Sequence, residues 1–136
     1  FISYYHDSKE AKAFYELTDK YFMNKRFELS YDSEGYIVIS IFDSRNNKKI
    51  DENMLSSGEY KMLRIIKKIT FSKPNDIQLL DEPELSMSIY WQGMMVEDII
   101  KYGNFKNVII ATQSPYIVKE KHIENVKEMS FDETSN

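Results

Sequence analysis

The chain has 136 residues, enough for one domain or one lobe of a larger one, and its 42% hydrophobic residues exclude wholesale disorder. It has no cysteine, which excludes a disulfide framework and a thiolate metal site and fits a reducing compartment, the cytoplasm. The net charge of −4 sets up no overall field for nucleic acid, so that partner would need a local basic patch, and no apolar run approaches the roughly 18 residues of a membrane span.

No signal peptide opens the sequence, and Phe1-Ile2-Ser3 without an initiating Met reads as a piece of something longer. Asp7 or Ser8 caps a helix running to about Phe22, with Ala11, Phe14, Tyr15, Tyr21 and Phe22 on one apolar face. This aromatic stripe is a core stripe before it is a binding box. A hairpin follows: a strand over 27–31, a turn at Asp32-Ser33-Glu34-Gly35, and a second strand over 36–42. Gly35 suits the positive-φ position of that turn. A further turn at 44–47 leads to a short third strand over 48–50.

Ser56, followed three residues later by Glu59, is a capping box, so a helix starts there and runs to about Thr70. Leu63, Ile66 and Ile69 fall on its buried side. Lys61, Arg64, Lys67 and Lys68 crowd another, read as a solvated face in preference to a phosphate or partner contact. The run 77–80 is expected to form a buried strand that ends in Asp81-Glu82, with Pro83 forbidding further pairing. Ser86 or Ser88 caps the next helix, through Ile89, Met95, Val96, Ile99 and Ile100, stopping at Gly103. A second buried strand spans 107–112. Strand, helix, strand in this order is a crossover that makes the two strands parallel. An edge strand is expected within 122–131, and 132–136 is expected to fray.

Three stretches carry chemistry. The Ser56-Ser57-Gly58-Glu59 helix start offers free amides and a positive dipole end to a phosphate, and Gly58 permits close approach to the backbone. Asp81-Glu82 at a strand tip stand where open α/β sheets bind ligands. Gln113 follows the neighbouring parallel strand, so the two tips lie side by side. Read singly, each has a plain alternative: a well-capped helix, a solvated turn, a satisfied loop glutamine. Asp81, Glu82 and Glu84 could also hold a divalent ion without any nucleotide, as a weak site.

In this order the three stretches resemble a known family. Leu55-Ser56-Ser57-Gly58-Glu59 is similar to the LSGGQ-type signature of ATP-binding-cassette (ABC) ATPases, and Gln78-Leu79-Leu80-Asp81-Glu82-Pro83-Glu84 to their Walker B strand. The stretch from Leu85 to Gln92 resembles the D-loop and the helix after it, and Ile110-Ala111-Thr112-Gln113-Ser114-Pro115 the switch segment, usually Ala-Thr-His-Ser-Pro. The resemblance runs from about Phe27 to Val118. Glu84 after the proline, and Ser114-Pro115, point to the soluble branch of SMC, RecF and overcoming-lysogenization-defect ATPases, and within it to ATPases of anti-phage systems such as Septu and some retrons.

The resemblance implies an α/β, P-loop NTPase-like C-terminal lobe: a helical lead-in over 1–25, a β-hairpin over 26–50 and a core over 55–118. It implies ATP and Mg²⁺ as cofactors, with Asp81 as the metal residue, Glu82 as the residue that polarises the attacking water and Gln113 in the switch position. Ser56, Ser57, Gly58 and Glu59 would serve an ATP held by another subunit, which makes ATP the glue of a homodimer. Ser86 and Ser88 lie on the D-loop at its seam. Two departures stand out. Gln113 replaces a histidine and cannot carry charge near neutral pH, which favours slow hydrolysis or ATP used to hold a dimer. None of Gly35, Gly58, Gly93 and Gly103 precedes a lysine, so the phosphate loop G-x-x-x-x-G-K-S/T is absent and with it the lobe that grips the nucleotide. The implied function is ATP hydrolysis by a nucleotide-gated dimer in anti-phage defence or DNA transactions. The alternative is a catalytically weak, ATP-gated platform for a partner nuclease. Any Toprim nuclease of this chain's own would lie past Asn136.

Overall fold

The computed structural model describes residues 8–129. Helix α1 spans Lys9–Tyr21 and is capped by Ser8, whose hydroxyl accepts from the Ala11 amide at 3.1 Å. Strands β1 (Lys25–Tyr31), β2 (Ile37–Asp43) and β3 (Lys49–Ile50) form an antiparallel sheet in that order. Its register runs from Lys25↔Asp43 to Tyr31↔Ile37. In the hairpin turn the Asp32 carboxylate accepts from the amides of Glu34 and Tyr36, both at 2.9 Å, and Gly35 takes φ +88°, where a β-carbon would be strained. Helix α2 (Ser57–Thr70) starts on the expected capping box: Ser56 Oγ accepts from the Glu59 amide and the Glu59 carboxylate from the Ser56 amide.

Strand β4 (Ile77–Asp81), helix α3 (Ile89–Tyr102) and strand β5 (Asn107–Ala111) follow. β4 and β5 pair in parallel, as the crossover requires, with Asp81 opposite Ala111. Of the two serines that could cap α3, Ser88 does so, its hydroxyl accepting from the Trp91 amide at 3.2 Å.

The core lies where the helices meet. α1 contributes Phe14, Leu17 and Tyr21; α2 contributes Met62, Leu63, Ile65, Ile66 and Ile69; α3 contributes Met95 and Ile99. Phe22 and Phe27 join α1 to the first sheet, with ring centroids 4.9 Å apart in an edge-on pair. α1 is tied to α3 through the buried Asp98 carboxylate, which accepts from Tyr21 Oη at 2.6 Å and pairs with Lys20 Nζ at 2.7 Å.

Two expectations need correction. β4 and β5 are covered on one face only. Gln78 and Leu80 are buried, whereas Ile77, Leu79 and Ile109 are 58%, 61% and 60% exposed. A short apolar run identifies a strand, but here one face of the pair is left uncovered. Second, no edge strand forms within 122–129: Glu120–Asn125 is a short 3₁₀ segment and Val126 and Met129 are exposed. The expectations for 130–136 fall outside the described residues. On α3, which runs as expected to Gly103, Met95 and Ile99 are buried and Ile89 and Ile100 stand exposed. No helix among the described residues is long and apolar enough to cross a membrane.

Candidate active site

The two parallel strands deliver Asp81 and Gln113 to the same corner, because Asp81 pairs with Ala111, two residues before Gln113. Asp81 is the last residue of β4 and its side chain is exposed. Glu82 leaves the strand with its amide still bonded to Ala111 O at 2.8 Å, then turns at φ +41°. That left-handed conformation is unfavourable for a residue with a β-carbon and is held by the surroundings. Pro83 is fully buried behind it and gives the chain a fixed φ at the turn. The outcome is a direct bond across the corner: Gln113 Nε2 donates to Glu82 Oε1 at 2.7 Å. The second oxygen of Glu82 stays available to a water or substrate.

Glu84 turns the other way. It is buried, and its Oε1 accepts from Thr112 Oγ1 at 2.7 Å and from the Gln113 amide at 3.2 Å. It therefore does not join Asp81 and Glu82 as a third ligand, and no cluster of three or more acidic, histidine or cysteine residues that could hold a metal exists among the described residues. The nucleotide-free metal site considered from sequence is absent there.

The signature-like stretch begins α2. Ser56 and Ser57 are exposed, and the capping box uses the amides of Ser56 and Glu59. The amides of Ser57 and Gly58 have no acceptor among the described residues, as the first turn of any helix leaves them. Glu59 also pairs with Lys25 Nζ at 2.5 Å and so ties α2 to β1. Burial pushes its carboxyl pKa up, but the bonds from Lys25 and from the Ser56 amide outweigh this and hold it below the usual range. Gly58 is buried, and the close approach it serves is to protein: a β-carbon there would stand 2.3 Å from Ser86 O. Ser86 adopts φ +68° at that contact and its side chain is exposed, as is that of Ser88. The helix start and the loop after Glu84 are thus packed backbone to backbone.

The basic face of α2 is partly solvated, with Arg64 and Lys68 exposed. It floors an open groove of about 930 Å³ between β2 and β4. Lys61 Nζ donates to Glu82 O, Lys68 Nζ to Leu79 O at 2.6 Å, and Lys67 pairs with Glu52 at 3.5 Å. Two of the four cations therefore bind backbone carbonyls of β4 and of the turn after it. Arg64 has no carboxylate partner among the described residues and lies by the Tyr60 ring.

Sequence reading missed Lys61, Thr112 and the Gln92–Ser114 pair, in which Ser114 Oγ donates to Gln92 Oε1 at 2.5 Å. None carries a pattern of its own. The one available signal was Glu84 itself, a carboxylate three residues past a strand end and next to a buried proline.

No protein-family model matches the chain, and no curated protein matches its sequence. Among solved structures it is similar to the Smc head in the crystal structure of the Smc head bound to the C-winged helix domain of ScpA, with a TM-score of 0.59 and 15% identity. The match covers 80% of this chain and 36% of that one, so this chain spans about a third of the other's length. At that identity the likeness is one of fold. The chain folds as part of an SMC-type head does.

Proposed function

We propose that this chain is the C-terminal lobe of a soluble ABC-type ATPase that works as an ATP-gated dimer. The observation that carries the reading is the 2.7 Å bond from Gln113 to Glu82, made between the tips of two parallel strands beside the exposed Asp81. It is supported by the SMC-head fold and by the exposed hydroxyls of Ser56 and Ser57 at a helix N-terminus.

In this reading Asp81 holds Mg²⁺, a fit to that ion's preference for carboxylate, water and phosphate oxygens. Mg²⁺, when bound, neutralises charge developing on the phosphates. Glu82 takes the proton of the attacking water through the oxygen that Gln113 leaves open. Gln113 keeps the other oxygen engaged and the carboxylate pointed. Ser56, Ser57 and the first-turn amides of α2 meet the γ-phosphate of an ATP bound by the second subunit, with Glu59 holding that helix start and Ser86 and Ser88 along the seam. The lobe that grips the phosphates comes from elsewhere, and the open apolar face of Ile77, Leu79 and Ile109 gives it a surface to cover.

Gln113 favours a second reading, since a neutral amide in the switch position cannot stabilise transition-state charge as a histidine cation can. The lobe would then be an ATP-held platform for a partner, a nuclease in the anti-phage setting that the sequence resemblance suggests. Dimerisation of the full-length protein, followed by light scattering with and without ATP, tests the arrangement. Ser57→Arg is expected to abolish ATP-dependent dimerisation and Glu82→Gln to preserve it. Loss in both, or in neither, contradicts the assignment of the two stretches to opposite sides of one nucleotide.

A further inference from the structure

Glu84 is 6% exposed, yet it carries a carboxylate whose Oε2 is buried with no hydrogen-bond partner among the described residues. Burying a carboxylate with one oxygen unmatched costs stability, so its retention needs a reason. The bonds of its other oxygen supply one. Oε1 receives both the Thr112 hydroxyl and the Gln113 amide, and Thr112 Oγ1 in turn accepts the Ser114 amide at 3.0 Å. Ser114 Oγ bonds Gln92 on α3, and Gln92 Nε2 returns to Met87 O at 3.1 Å, three residues after Glu84. The turn after β5 is thus bonded to the turn after β4 by a closed circuit. Gln113 is held twice across it, its side chain by Glu82 and its backbone by Glu84. Buried Pro83 separates the two glutamates in the chain.

We propose that Glu84 is a positioning residue: it fixes the Thr112–Gln113 backbone so that the Gln113 amide stays on Glu82. The inference rests on the role given above to Glu82 as the water-activating base. Glu84 contacts neither substrate nor metal in this account and acts only through Gln113. A swing of the 112–114 turn would free both oxygens of Glu82 and let a carboxylate already at strained φ rotate away.

The test is steady-state ATP turnover by the full-length protein. Glu84→Ala is expected to lower kcat by about 10-fold or more with KM for ATP within about 2-fold, because the nucleotide is gripped elsewhere. Glu84→Gln keeps an oxygen for the same two donors and is expected to restore most of that loss. In a Gln113→Ala background, Glu84→Ala is expected to cost less than about 2-fold more, since both changes remove one interaction. If Glu84→Ala does not fold, Thr112→Val, which deletes one of the two donors, enters the same cycle with an expected loss of about 3-fold and the same non-additivity. Wild-type kcat in Glu84→Ala, or a loss of equal size with and without Gln113, overturns the positioning role. Turnover by Glu82→Gln at the wild-type rate overturns the base reading and this inference with it. An inactive Glu82→Gln beside a fully active Glu84→Ala overturns this inference alone.

Discussion

Adding one methyl group to each of two helical glycines is expected to change stability in opposite directions. Gly58 is in the first turn of α2 and Gly93 in the first half of α3. A β-carbon on Gly58 would lie 2.3 Å from Ser86 O and 3.3 Å from Ser86 C, roughly 1 Å inside ordinary contact. The obstacle is backbone, so it cannot rotate aside, and Ser86 is already at φ +68°. Overpacking of this kind costs about 1–3 kcal/mol, against a gain of at most ~1 kcal/mol from replacing glycine in a helix. Gly58→Ala should therefore destabilise by about 1–2 kcal/mol, a fall in Tm of roughly 3–6 °C for a chain of this size. At Gly93 nothing lies within 4 Å of the added carbon. Gly93→Ala should keep the helical gain and stabilise by about 0.5–1 kcal/mol. Thermal unfolding followed by circular dichroism, with urea titration to obtain ΔG, reads both. A Gly58→Ala variant as stable as Gly93→Ala would refute the packing of the helix start against the 84–87 loop.

Other perturbations follow from the same contacts. Burial, reinforced by the bond to Asp98 and its charge, pushes the Tyr21 hydroxyl pKa well above the ordinary tyrosine value. The folded state thus holds that proton more tightly than the unfolded one, so its contribution is whole below about pH 10 and is lost as pH rises beyond it. Tyr21→Phe should cost about 1–2 kcal/mol at pH 7 and flatten the alkaline limb of a stability-versus-pH curve; an unchanged limb would contradict the assignment. The Glu59 carboxyl is shifted the other way, so its contribution is whole above about pH 4.5 and is lost as pH falls through its lower folded value. Ser56→Ala should cost about 1 kcal/mol by removing the cap, and Glu59→Gln should weaken the acid limb; urea midpoints at pH 7 and pH 3 check both.

The local elements were legible because each rests on chemistry contained within a few residues. Ser8, Ser56 and Ser88 cap helices through their own hydroxyls, Asp32 and Gly35 shape one turn, and the Ser56–Glu59 box is reciprocal. The corner was legible too, since strand order and parallel register fix which tips are neighbours, and Gln113 does reach Glu82. What escaped depends on residues far apart in sequence. Whether Leu79 and Ile109 are covered is decided by what packs on the sheet, and their apolar character is the same in either case. Lys61 and Lys68 look like any solvated lysine until β4 and the turn after it bring carbonyls within reach. Glu84 reads as one more acid in an acidic turn, and only the fold reveals that it faces Thr112. Gly58 was read as a place where a ligand approaches, and spacing alone could not show that the chain's own Ser86 packs against it.

The most direct measurement is pre-steady-state phosphate release by the full-length protein, wild type against Glu82→Gln, at saturating ATP and Mg²⁺. The account predicts a slow but measurable wild-type burst and a loss of at least about 100-fold in the variant, with ATP still bound. Equal release from both proteins would remove Glu82 from the chemistry and contradict the proposed site.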